Sequence, residues 1–75
     1  MRTAIELYVI DKVKDLRHRE NMSQIELSNR MGVATGFVGK VESSTSLSKY
    51  NLNHINKISE IFDISPRELL PEKHL

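Results

Sequence analysis

The sequence predicts an all-α fold, and three observations predict it. Apolar residues recur at helical spacing in both halves of the chain, as Ile5, Val9, Val13 and Leu16 and again as Leu52, Ile55, Ile58 and Phe62. Start and stop residues punctuate the intervals: Ser23 with Glu26, Gly32, and Ser65-Pro66 stand where helices begin and end. Nowhere do apolar and polar residues alternate over the roughly four to eight positions that a half-buried strand needs.

The first helix is read over Thr3 to Arg19, with Ile10 widening its apolar stripe and Lys12, Lys14, Asp15 and Arg19 on the solvent side. Arg17 is the exception, a charge bordering that stripe. Glu20-Asn21-Met22 is a short loop in which Asn21 suits a left-handed conformation.

Ser23 to Glu42 reads as two short helices joined at Gly32. Ser23 can cap the first of them, and Glu26 can reach back to close a capping box. Leu27 and Met31 are four apart and face inward together. Gly32 takes the left-handed position past the last apolar residue, where a side chain would be strained. Val38 and Val41 form the inward stripe of the second helix, and Ser28 is small where that helix crosses. The side carrying Thr35, Gly36, Gly39 and Lys40 has nothing aliphatic to bury and should face outward. Two glycines inside so short a helix would each cost about 1 kcal/mol relative to Ala. Ala34 also stands where Ser or Thr would cap better.

Ser43 to Asn51 is polar and Ser-rich, has no helical period, and is a loop. A fourth helix follows over Leu52 to Phe62, capped by Asn51, or by Ser48 if it starts earlier. Asp63-Ile64 turns the chain. Ser65-Pro66-Arg67-Glu68 then opens a short fifth helix that Leu69 and Leu70 pin and Pro71 stops, leaving Glu72 to Leu75 to fray.

Composition bounds what such a fold can do. Seventy-five residues allow one small domain, 1–75. With 39% hydrophobic residues but only two Phe and two Tyr, the core must be mainly aliphatic. The absence of Cys excludes disulfides and thiolate metal sites and fits a reducing cytoplasm. No apolar run approaches the roughly 18 residues of a membrane span, and no signal-peptide core is present. A net charge of +1 is too mild to argue for nucleic acid by itself; any such affinity depends on where the charges sit. His18, His54 and His74 are scattered, His54 reading as an exposed helix residue. No nucleophile-base pair or metal-ligand spacing appears, so neither catalysis nor a cofactor is expected.

The stretch Ser23–Glu42 resembles the helix-turn-helix of the Cro and phage-repressor DNA-binding family. The matching residues are Gln24, Leu27, Ser28, Met31-Gly32-Val33, Val38, Val41 and Glu42. The resemblance extends over about 9–70 and implies a lambda-repressor-like domain of five helices with its core there, which binds double-stranded DNA, the second motif helix entering the major groove. It implies base contacts from Thr35, Gly36 and Lys40, although Lys40 could settle on a phosphate and Thr35 could merely cap the helix. It implies backbone contacts from Ser23, Gln24, Phe37, Gly39, Ser43, Ser44 and Lys49. Against these stand Gln24 as a plain helix starter, Phe37 packed on the first motif helix, and the serine loop as a bland connection. Arg17 and Glu42 are implied to form a structural ion pair.

With Gly at two outward positions, specificity is expected to lean on DNA shape and Lys40. One module buries only about 600–1,000 Å² on DNA, so a repressor-like regulator is expected to act as a homodimer. Its interface is expected on the fourth and fifth helices, with Ile64, Leu70 and the C-terminus, or on the N-terminal segment around Ile5 and Tyr8. The rival reading is a protein-interaction module, such as an antitoxin component that neutralises a toxin partner. Gly36, Gly39 and the weak charge favour the rival; Arg30, Lys40, Lys49 and the serine loop oppose it.

Overall fold

Thr3 starts the first helix from outside it. Its hydroxyl accepts from the Glu6 N–H at 3.3 Å, and Glu6 Oε1 accepts from the Thr3 N–H at 2.8 Å. This reciprocal box satisfies two backbone donors at the helix start. In the computed structural model, which describes residues 1–75, the chain runs through α1 (Ala4–Arg19), α2 (Gln24–Met31), α3 (Phe37–Glu42) and α4 (Leu52–Phe62) and ends in a 3-10 turn at Pro66–Leu69. There is no strand, and no helix is long and apolar enough to cross a membrane.

The expected fifth helix is therefore a single 3-10 turn. Ser65, Pro66 and Glu68 do supply a full capping box with Pro in the first turn. But Leu70 precedes Pro71, and the proline ring disfavours a helical conformation there. Leu70 is accordingly extended, with φ −110° and ψ 153°. Asn51 caps α4, and Asp63 ends it in a left-handed conformation at φ 54°.

α2 packs on both α3 and α4, while α1 closes over α3 and the 3-10 turn. Leu27, Val13, Val38, Val41, Ile58 and Leu69 are fully buried where these elements meet. The buried line of α1 is Val9, Ile10, Val13 and Arg17, with Leu16 half-buried. Ile5 is 43% exposed and lies outside the core, because nothing apolar covers that side of the first turn. Leu52 is 79% exposed at the start of α4, since Tyr50, two residues earlier, fills the core position instead. Tyr50 is buried although it ends the polar loop, and Met22 is buried although it lies in the short α1–α2 connection.

Two leucines separate core packing from helical period. Leu27→Ala should lose about 2–5 kcal/mol in denaturant unfolding, whereas Leu52→Ala should stay within about 0.5 kcal/mol of the parent.

Candidate nucleic-acid interface

One small hydroxyl ties α2 to the start of α3. Ser28 is completely buried; its Oγ donates to Gln24 O at 2.9 Å and accepts from the Val38 N–H at 3.1 Å. Ser28 thus caps α3 from the neighbouring helix, which repairs the weakness expected from Ala34. Gly36 is the N-cap residue of α3 and offers no side chain for that job; Thr35 does not cap α3 either. Gly32 has φ 75°, the left-handed turn that lets α3 fold back. Ser23 accepts from the Glu26 N–H at 3.0 Å, but Glu26 turns to Arg30 at 2.7 Å, so this capping box is only half made.

α3 begins at Phe37, so Thr35 and Gly36 lie in the turn before it and only Gly39 is a glycine inside the helix. The helical cost of Gly expected at two positions falls on one. Thr35, Gly36 and Lys40 are all exposed, and the Lys40 N–H donates to Gly36 O at 3.0 Å, which sets Lys40 one turn beyond Gly36. Lys40 enters none of the salt bridges. A Cβ on Gly36 would meet nothing within 4 Å, so the surface there is open. At Gly39 a Cβ would stand 3.2 Å from Gln24 Oε1, tighter than ordinary contact. Gly39 is therefore small to admit the Gln24 side chain.

Gln24 is in turn committed inward. Its Nε2 donates to Glu42 Oε1 at 3.0 Å. The same carboxylate receives a two-bond fork from Arg17, Nε to Oε2 at 2.9 Å and Nη2 to Oε1 at 2.7 Å. Arg17 Nη1 donates to Met22 O at 2.8 Å, pinning the α1–α2 connection as well. Only 8% of the Arg17 side chain and 3% of the Glu42 side chain reach solvent. Burial alone would push the Glu42 carboxyl up; the hydrogen bonds from Arg17 and Gln24 and the guanidinium charge outweigh it and hold the group below its ordinary value.

The loop after α3 bonds mostly to itself and to the start of α1. Ser43 Oγ lies 3.0 Å from Thr45 Oγ1, Ser43 is half-buried and Ser44 is exposed. Lys49, expected to contact the DNA backbone, is paired with Glu6 Oε2 at 2.7 Å while about half its side chain stays in water. Arg2, which no spacing in the sequence singles out, donates to the carbonyls of Val41, Ser43 and Ser48 at 2.8, 2.9 and 3.2 Å.

Phe37 is half-buried and packs against the core. Its ring lies 4.8 Å from that of His54 and 6.0 Å from that of Tyr50. His54 is thus not a plain exposed residue: its Nδ1 accepts from the Asn51 N–H at 3.0 Å, completing the α4 capping box, and burial lowers its pKa. Burial also raises the pKa of the Tyr50 phenol. No three His, Asp or Glu side chains converge in a way that could hold a metal ion.

The profile of the Cro/C1-type helix-turn-helix DNA-binding domain matches residues 12–71. The chain is 29% identical over 63 residues to the HTH-type transcriptional regulator SinR of Bacillus subtilis (strain 168), covering 84% of this chain and 56% of SinR. It thus spans little more than half the length of that relative. Among solved structures it resembles the restriction-modification controller protein C.AhdI from Aeromonas hydrophila. That match has a TM-score of 0.69 and 30% identity, over 84% of this chain and 92% of the other. It also resembles the N-terminal DNA binding domain of SinR from Bacillus subtilis, with a TM-score of 0.69 and 27% identity, over 89% of this chain and 96% of the other.

Arg17→Ala leaves Glu42 buried without its cation and should lower stability by about 3–5 kcal/mol, whereas joint replacement by Arg17→Met and Glu42→Leu should recover most of that loss in chemical denaturation. Acid should act in two stages. The unfolded chain protonates His54 near its ordinary 6.5 while the folded site resists, so melting temperature should fall as the pH drops below about 6.5. Glu42 contributes stability that is fully present above its ordinary 4.5 and is lost as the pH falls toward its lower folded value. His54→Gln, which can keep the capping box, should abolish the first stage and leave the second.

Proposed function

The chain belongs to the Cro/C1-type helix-turn-helix DNA-binding domain family, and on that footing we propose that residues 1–75 act as one domain that regulates transcription, in a repressor-like manner, by seating α3 in the major groove of double-stranded DNA. The observation that carries the proposal is the asymmetry of α3. Val38 and Val41 are completely buried on one flank, while Thr35, Gly36 and Lys40 stand exposed on the other with no residue of the protein over them. B-DNA's major groove admits one α-helix, and the first residues of that helix meet the base edges.

In this arrangement Lys40, free of any ion pair, donates to guanine O6 and N7. Thr35 offers a hydroxyl and a methyl to a base edge, and Gly36 lets the backbone of the turn approach closely. Ser23, Ser43 and Ser44 present hydroxyl groups to phosphate oxygens on either side. The Gln24 amide is engaged by Glu42, so its contribution to phosphate binding comes through the uncapped N–H groups at the start of α2, where the helix dipole favours an anion. Gly39 approaches the backbone over the Gln24 side chain. Phe37, with its ring against His54 and Tyr50, has only its exposed edge for the sugar-phosphate chain. Lys49 reaches a phosphate by exchanging its Glu6 partner.

A formal charge of +1 gives a single module little pull on DNA. A homodimer on two half-sites about 34 Å apart doubles the contact. Ile64, Leu70 and Leu75 at the C-terminal end offer apolar surface for it, and Ile5 at the other end is the competing patch. The activity is binding without catalysis, in the cytoplasm.

A salt titration of binding to mixed-sequence duplex tests the proposal. Affinity should fall steeply and linearly on a log–log plot, with a slope of about −0.9 per phosphate contacted. Lys40→Ala should cost about 1–3 kcal/mol and relax preference at one base pair of a selected site. Absence of duplex binding at low salt would overturn the proposal and leave the fold to protein interaction.

A further inference from the structure

The loop Ser43–Asn51 has no apolar anchor before Tyr50, and its own side-chain bonds are short-range: Ser43 to Thr45, and Ser46 Oγ accepting from the Ser48 N–H at 3.0 Å. Such bonds shape a loop locally without fixing it to the body. The fixing comes from the other end of the chain. One guanidinium, Arg2, bonds carbonyls in the last turn of α3 (Val41, 2.8 Å), at the start of the loop (Ser43, 2.9 Å) and near its end (Ser48, 3.2 Å), so it ties the two ends together. Two of those carbonyls lie at the C-terminus of α3, which lacks intrahelical donors and carries the negative end of the helix dipole, so a cation is doubly suited there. Four residues further on, Glu6 divides its carboxylate: Oε1 accepts from the Thr3 N–H at 2.8 Å, and Oε2 holds Lys49 at 2.7 Å. The Lys49 hydrogen bond, followed by that from Thr3, lowers the Glu6 pKa to about 2, so Glu6 is ionised at any physiological pH.

We propose that Arg2 and Glu6 form a brace that tunes DNA affinity without touching DNA: Arg2 is a positioning residue that shapes the loop presenting Ser43 and Ser44, and Glu6 occupies Lys49 in place of a phosphate. The inference rests on the DNA-binding reading of the loop. It makes the two brace residues act in opposite directions. Arg2 preorganises the contact surface, which strengthens binding. Glu6 competes with the duplex for one cation, which weakens it. Lys49 is half in water in its pair with Glu6, so a phosphate can displace the carboxylate.

The test measures duplex affinity and its salt dependence for the unaltered chain and for Arg2→Ala, Arg2→Lys and Glu6→Gln, with thermal melting and amide exchange of Ser43–Ser48 recorded in the absence of DNA. Arg2→Ala should weaken binding to selected and mixed duplexes by the same factor, roughly tenfold, and speed amide exchange in the loop. Arg2→Lys should fail to restore either, because a single ammonium nitrogen cannot reproduce the fork of Nη1 to Val41 O and Nη2 to Ser43 O. Glu6→Gln can keep the α1 cap, since Gln also serves at that position, and should tighten binding to selected and mixed duplexes alike, because Lys49 no longer gives up an ion pair to reach its phosphate. Wild-type affinity in Arg2→Lys would reduce Arg2 to a charge and overturn the brace. Unchanged or weakened binding in Glu6→Gln would do the same. No salt-dependent binding by the unaltered chain would overturn the DNA-binding reading itself, and this inference with it.

Discussion

The buried fork between Arg17 and Glu42 is the interaction on which the arrangement depends. It joins the last turn of α1 to the last turn of α3, and through Gln24 and Met22 O it takes hold of the start of α2 and the loop before it. α3 has only six residues, too short to be stable by its own backbone bonds. It is held at one end by Ser28, which caps Val38 across the turn, and at the other by Glu42. Between those two points Val38 and Val41 fill the core. The outward flank can remain bare because none of this support comes from that side. Removing such a buried pair cleanly is tolerable, but removing one partner strands a charge, so the geometry is all or nothing.

The serine loop extends the same logic to a segment with no hydrophobic reason to hold still. It is bonded to the N-terminal end of the chain, through Arg2 ahead of α1 and Glu6 in its first turn. Glu6 serves both as helix cap and as the partner of Lys49, so the start of α1 and the end of the loop are coupled through one carboxylate. Net charge therefore says little about this surface. Lys40 is unpaired and outward, whereas Lys49 is already answered within the protein.

Much of the scaffold was legible because it depends on local rules. Gly32, Asn21 and Asp63 take the left-handed conformations that their chemistry allows, and Val13, Leu27, Val38 and Ile58 are buried where periodicity places them. The misreadings have physical causes. Ile5 and Leu52 match the period but lie where no neighbouring element covers them. Tyr50 and Met22 sit in connections, where periodicity carries no information, yet both are core residues. The fifth helix failed as an α-helix because Pro71 acts on Leu70 before a second turn can form.

Within the candidate site, the outward set of Thr35, Gly36 and Lys40 follows from the lack of anything to bury. The turn that carries Thr35 and Gly36 does not, because the true start of α3 depends on Ser28 from another helix. Arg2 was invisible for a stronger reason: its partners lie about 40 residues away in sequence and are backbone carbonyls, which every residue possesses. His54 likewise gains its role from Phe37 and Asn51, contacts that only the folded chain brings together.

The central claim is that a rigidly backed α3 offers its uncovered flank to the major groove. Amide chemical shifts followed during titration with a DNA duplex test it most directly, residue by residue. The largest changes should fall at Thr35, Gly36 and Lys40, smaller ones at Ser23, Ser43 and Ser44, and none over Glu60–Leu70. Changes concentrated at the C-terminal half of α4 and the 3-10 turn, with Thr35 to Lys40 unmoved, would contradict it.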